Sequence, residues 1–263
     1  MCLTLLFPLA AAHGGQTTPE TSDQSQRGSQ EPQKSVEAQP ALEEQQQQRR
    51  EKEQVHERAE QELKQQKRQR VLGIVPAFNL SNKQNAAPLN PGQKFRLALK
   101  SMTDPFTFAA AAVDASINQL QDDYHGYGQG IAGYSKRFGA SYADTFDGTI
   151  LGNAVLPILF HQDPRYFRKG TGSVKGRLWY ALLSTVRCKG DSGKWQPSYS
   201  NLLGNFAAGT ISNLYYPEGD RGVGLTVQRA FTVSAEGAIG AMFYEFWPDI
   251  SRKLSRHRKA KDQ

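Results

Sequence analysis

Large apolar side chains are distributed very unevenly along this chain of 263 residues. Between Gly14 and Arg70 they are almost absent, and nearly every Phe, Tyr and Trp falls from Phe78 onward. A core forms only where there is apolar surface to withdraw from water, so the segregation confines any core to roughly Val71 to Leu254. That span is long enough for one well-packed domain.

The upstream residues divide further. From 13 to 40 the chain is mostly Gln, Ser, Thr, Pro and Glu with no periodic apolar face, a composition that cannot offset its ordering entropy and predicts disorder. From 41 to 70 it becomes ALEEQQQQRREKEQVHERAEQELKQQKRQR, good helix formers with interleaved opposite charges. Val55, Ala59 and Leu63 make one stripe at four-residue steps, too thin for a sustained coiled coil. The expectation is a charged, solvated helical arm, with oligomerisation through it as a secondary role.

The first twelve residues, ending in Ala10-Ala11-Ala12, have the apolar run and small residues of a signal peptide, with cleavage before His13, although no Lys or Arg precedes the run. Export to the periplasm or cell envelope is therefore expected. The run lacks the ~18 apolar residues of a spanning helix. Cleavage would remove Cys2 and leave Cys188 without a disulfide partner. The formal net charge of +7 owes much to a basic end, Arg252 and Lys253 followed by Arg256, Arg258, Lys259 and Lys261 in the tail 255–263. On an exported protein this suits an anionic membrane surface or an envelope protein partner, and no nucleic acid is expected.

Within 71–254, VLGIVPAFNL and the proline-bearing loop after it predict an extended segment across the core. About six helical stretches follow. Pro91-Gly92 opens one, Asp104-Pro105 the next, and a third runs from about Tyr127 to Phe160 with an internal break. Ser173 and Ser198 open two more, and Gly222 leads into a last helix that Pro248 is expected to end. RCKGDSGKWQPSYS reads as a loop between helices rather than a hairpin. Small residues recur at three- or four-residue steps, as in Gly126, Gly130 and Gly133, Gly148 with Gly152, Gly204 with Ala208, and Gly237 with Ala241. Such steps place small residues on one helix face and let another backbone approach, in a tight bundle or partly within a membrane. Asp114, Asp147 and Glu236 sit among these small residues and, if buried, require cations; Arg137, Arg177, Arg187 and Arg229 are the candidates.

Residues that could carry chemistry concentrate in HQDPRYFRKG. His161, Asp163 and Arg165 there, with Glu236 elsewhere, are the candidate catalytic residues of an envelope hydrolase or lipid-modifying enzyme, and none is committed to that role. The local alternative makes Asp163 a helix N-cap and Pro164 the first helical residue, as at Asp104-Pro105. GTGSVKG could hold an anion at a helix start, and the basic flanks of Cys188 could lower its pKa. His13, His56, His125, His161 and His257 are scattered and no Walker loop is present, so no metal and no cofactor are expected.

The segments RVLGIVPAFN, YSKRFGASYAD, LGNAVLPILFHQDPRYFRKGTGS, ISNLYYP and EFWPDISRKL together resemble a family of exported bacterial proteins with no assigned biochemical function. The likeness runs from Arg70 to Leu254. It implies export and a Gly- and Ala-rich helical body, and it brings no catalytic residues. The expected protein is thus mainly α, a compact bundle of Gly/Ala-rich helices acting as an envelope-associated interaction or scaffold protein.

Overall fold

The computed structural model describes residues 33–71 and 73–261, with side chains described for 42–71 and 73–253. The expected signal peptide at 1–12, most of the segment 13–40 and the side chains of the basic tail 255–263 lie outside them. Of the described residues, 33–48 belong to one unit and those from Arg49 onward to another, which holds the core and the cavities.

The protein is mainly helical, as the periodicity predicts. Helix α1 (Gln33–Gln66) carries the charged arm. From Leu42 to Arg58 its side chains are exposed, but its last turns are not the solvated spacer expected. Ala59 and Leu63 are buried, and Leu63 joins Phe78, Leu89 and Leu97 in a core cluster. Glu62 fixes this end by accepting from the Ala87 backbone N–H at 3.0 Å and from Lys83 at 3.2 Å. The extended segment follows as β1 (Arg70–Val71) antiparallel to β2 (Val75–Pro76), then β3 (Leu80–Ser81), with Val71, Ala77 and Leu80 buried.

Two helix starts are built as their sequences specify. Asn90 and Gln93 cap α2 (Pro91–Met102) reciprocally, at 2.8 and 2.9 Å. Asp104 caps α3 (Pro105–Leu120) by accepting from the Phe106 N–H at 3.0 Å, and Arg70 pairs with the same carboxylate at 2.6 Å. The long third stretch is α4 (Gly130–Ile150), a π-helical turn at Leu151–Val155 and the short α5 (Leu156–Leu159), so its break is a widened turn rather than a loop. Ser173 caps α6 (Val174–Leu183), and α7 (Tyr199–Ser212) and α8 (Val223–Lys261) complete the bundle.

Three expectations are corrected. Asp163-Pro164 opens no helix. Asp163 does accept from the Arg165 N–H, at 3.0 Å, but the chain continues into β4 (Tyr166–Phe167), parallel to β3, because the backbone of Asn79 to Ser81 offers it a ladder. RCKGDSGKWQPSYS is a hairpin, β5 (Arg187–Lys189) with β6 (Trp195–Pro197), turned by Gly193 at φ 77°. Finally, α8 runs through Pro248. A proline inside a helix removes one hydrogen bond and crowds the carbonyls before it. The bond lost is the one to the Tyr244 carbonyl, and the next carbonyl, that of Glu245, accepts from Arg168 at 2.9 Å and Arg177 at 2.5 Å.

The cations of the interior also find partners other than those expected. Arg177 pairs with Glu245 and Asp249, both at 2.7 Å. Arg229 pairs with Asp144 at 3.3 Å, and Asp144 accepts further bonds from Ser212, Tyr215 and Tyr216. Buried Arg137 satisfies backbone carbonyls, reaching Asp123 twice (2.9 and 2.6 Å) and Gly128 once (2.6 Å). Asp114 bonds Ser141 and Asn118, and Asp147 accepts from Tyr215 at 3.2 Å. Close helix approach uses some of the anticipated small residues. A Cβ on Gly204 of α7 would stand 3.1 Å from Gly152 Cα; one on Gly209, which the spacing did not single out, would stand 2.7 Å from the Thr226 carbonyl of α8.

Candidate functional site

The HQDPRYF segment ties three parts of the fold together. Arg165 grips Asp163 with two parallel bonds, Nε to Oδ1 at 2.9 Å and Nη2 to Oδ2 at 2.6 Å, and donates a third to the Ala87 carbonyl at 2.7 Å. Both residues are buried, and the pair is geometrically strong because a guanidinium fork matches a carboxylate. Gln162, wholly buried, donates to the Pro197 carbonyl at 2.7 Å and accepts from the Ser200 N–H at 2.9 Å. It therefore caps the start of α7, where Ser198 makes no side-chain cap. His161 stands apart, exposed, with its backbone in the left-handed region at φ 52°.

Beside this segment lies a cavity of about 350 Å³. Asp163, Arg165 and Glu236 all line it, whereas His161 does not. Three of the four candidate residues are thus brought together, but the imidazole that would serve as base is absent from the group. Asp163 and Arg165 are engaged with one another. Glu236 keeps an exposed edge, yet the protein around its carboxyl removes enough water to raise its pKa, with the Asp114 and Asp144 charges adding and Arg229 opposing. Cys188, also in the wall, is raised to about 11 by burial, against the lowering effect of the Ser198 hydroxyl and opposite to what its basic neighbours suggested. Its thiol stays protonated at neutral pH and is a poor nucleophile.

No protein-family model, no curated protein and no solved structure matches this chain. The remaining wall is amphipathic: Tyr180, Trp195 and Tyr244 alternate with Asn153, Thr185 and Asn201. The π-helical turn delivers Gly152 and Asn153 to it, and α8 delivers Gly237 and Gly240. Arg187 lies against Tyr180 and Trp195, its guanidinium carbon 5.4 and 4.9 Å from their ring centres. The sequence pointed to Arg187 as a partner for a buried acid and as a basic neighbour of Cys188, and it pairs with no acid among the described residues. The Gly-rich loop does meet an anion, but an internal one. The N–H groups of Lys169 and Gly170 donate to Glu245 at 2.9 and 2.8 Å. No group of three or more His, Cys, Asp or Glu side chains is placed to hold a metal ion among the described residues.

A second feature concerns the outside of the bundle. Helix α7 buries Ser200, Gly204, Asn205, Ala208, Gly209 and Ser212, while Tyr199, Leu202, Leu203 and Phe206 remain 38–50% exposed. Those four recur at i, i+3, i+4 and i+7, one helix face. Helix α3 repeats the pattern, burying Ala111 and Ala115 and exposing Val113, Ile117 and Leu120. Helix α6 buries Arg177 and Ala181 and leaves Trp179 65% exposed. Small and polar residues face inward and large apolar residues face outward. No helix of the described residues is long and apolar enough to cross a membrane.

Proposed function

We propose that this is an exported, membrane-associated interaction protein of the cell envelope, which works by seating the outer faces of its helices against an apolar surface. The observation that carries the reading is the inverted partition of side chains on α3, α6 and α7. Monomeric proteins in water rarely leave contiguous apolar faces of this kind uncovered. Close packing through Gly204 and Gly209, with buried polar groups joining the helices, is the way helices associate where burial of large apolar residues supplies no drive. At about 1.5 Å per residue, α7 with 14 residues and α3 with 16 residues span about 21 and 24 Å, short of the ~30 Å hydrocarbon layer. Seating at the membrane surface fits these lengths, and the signal-like N-terminus and basic tail fit an envelope location.

Fractionation of the tagged full chain tests this. The protein is expected with the envelope and released from it by carbonate. Recovery in the soluble cytoplasmic fraction would contradict the proposal.

A further inference from the structure

The cavity between the HQDPRYF segment and α8 has features that packing alone does not call for. Gly237 and Gly240 line it from within a helix, and a Cβ on either would meet nothing within 4 Å. Glycine weakens a helix interior, and at these two positions no close approach compensates. Their missing side chains are what leave the space open.

Arg187 supplies the second feature. Its side chain forms no hydrogen bond and no ion pair with any described residue, and its Nε is buried without a partner. The side chain is nevertheless held in place against Tyr180 and Trp195. In the same wall Arg165, 3% exposed, leaves Nη1 without an acceptor although its other nitrogens are bonded. Buried donors are ordinarily paired, and these two arginines of one cavity wall each keep a donor free for an added acceptor.

We propose that this cavity binds a small organic anion, an aromatic carboxylate or phosphate monoester, with its charged head on Arg187 and its ring in the space beside Gly237 and Gly240. The planar fork of arginine matches both head groups, and orientation by stacking on aromatic rings prepares it for them. Tyr180 and Trp195 supply the apolar wall for the ring. At about 350 Å³ the space lies within the range of small-molecule sites, ~300–1,000 Å³. Charge balance agrees at one point: the Asp163 carboxylate in the wall is already neutralised by Arg165.

Calorimetric titration of the full chain with phenylacetate, phenyl phosphate and the neutral benzyl alcohol tests the proposal. One or both anions should bind with one-to-one stoichiometry, and the preference between them identifies the head group. R187Q should weaken that binding at least tenfold, and G237L, which fills the space, should do the same. If R187Q fails to fold, R187K keeps the charge without the fork and is expected to bind several-fold more weakly. The proposal is overturned if wild type binds neither anion, if benzyl alcohol binds as tightly, or if the folded Arg187 variants and G237L bind as wild type does.

Discussion

Glu245 is one of the two carboxylates, with Asp144, that gather four polar partners each. It is completely buried and accepts from Tyr166, Arg177, and the N–H groups of Lys169 and Gly170. Burial alone would raise its pKa, but these donors outweigh it and hold the carboxyl below the usual range. Replacing it with alanine leaves Arg177 with Asp249 as its one carboxylate partner, and urea unfolding should register a loss of about 3 kcal/mol. Because the folded pKa is depressed, the stability from Glu245 is present above the ordinary glutamate value of about 4.3 and is lost as pH falls through the folded value. Glu236 has the opposite sign. Its raised folded pKa means that its contribution is complete below about pH 4.3 and declines as pH rises. Glu236→Gln should therefore be more stable than wild type at pH 7 and equal to it at pH 3.5. Asp104-Pro105 and Asp163-Pro164 are the same dipeptide, and both aspartates bond a backbone N–H two residues on. Only the first starts a helix, because FTFAAAAVDAS continues it, whereas RYF is drawn into a ladder with residues more than eighty positions earlier.

Among elements, helix existence was legible from apolar periodicity and capping residues, and helix ends were not. Helix α8 continues through Pro248 with Arg168 and Arg177 bonded to the Glu245 carbonyl, contacts that no local pattern records. The hairpin β5–β6 is hidden in the same way, since its pairing is helped by Gln162 from the preceding segment. Small residues were legible as a class but not in their separate uses. At Gly209 a Cβ would lie 2.7 Å from the Thr226 carbonyl and 3.3 Å from Arg229 Cβ, so Gly209→Ala forces α7 and α8 apart and should cost about 1–3 kcal/mol. At Gly148 the same Cβ meets nothing within 4 Å inside α4, and Gly148→Ala should stabilise by about 0.5–1 kcal/mol. Urea midpoints of the two variants, moving in opposite directions, would separate a contact glycine from a free one.

For the molecule as a whole, the segregation of apolar residues located the folded part closely, except that the last turns of α1 belong to it through Ala59 and Leu63. The direction in which each helix faces was hidden. In α7 the stripes Tyr199, Leu202, Leu203, Phe206 and Ser200, Gly204, Ala208, Ser212 are both periodic, and an expectation of apolar-inside would bury the first. The structure buries the second, because Gly204 and Gly209 admit neighbouring backbones that larger residues would exclude. The outer faces are then the surface through which the proposed envelope association acts. Flotation of the purified full chain with vesicles containing phosphatidylglycerol measures this most directly, with the L203E/F206E variant beside it. Wild type should float with the vesicles, and the variant should stay behind with its urea midpoint unchanged. Wild type that stays behind as a self-assembled species would place a second protein chain on these faces instead of lipid, and wild type that stays behind as a monomer would contradict the apolar-surface proposal altogether.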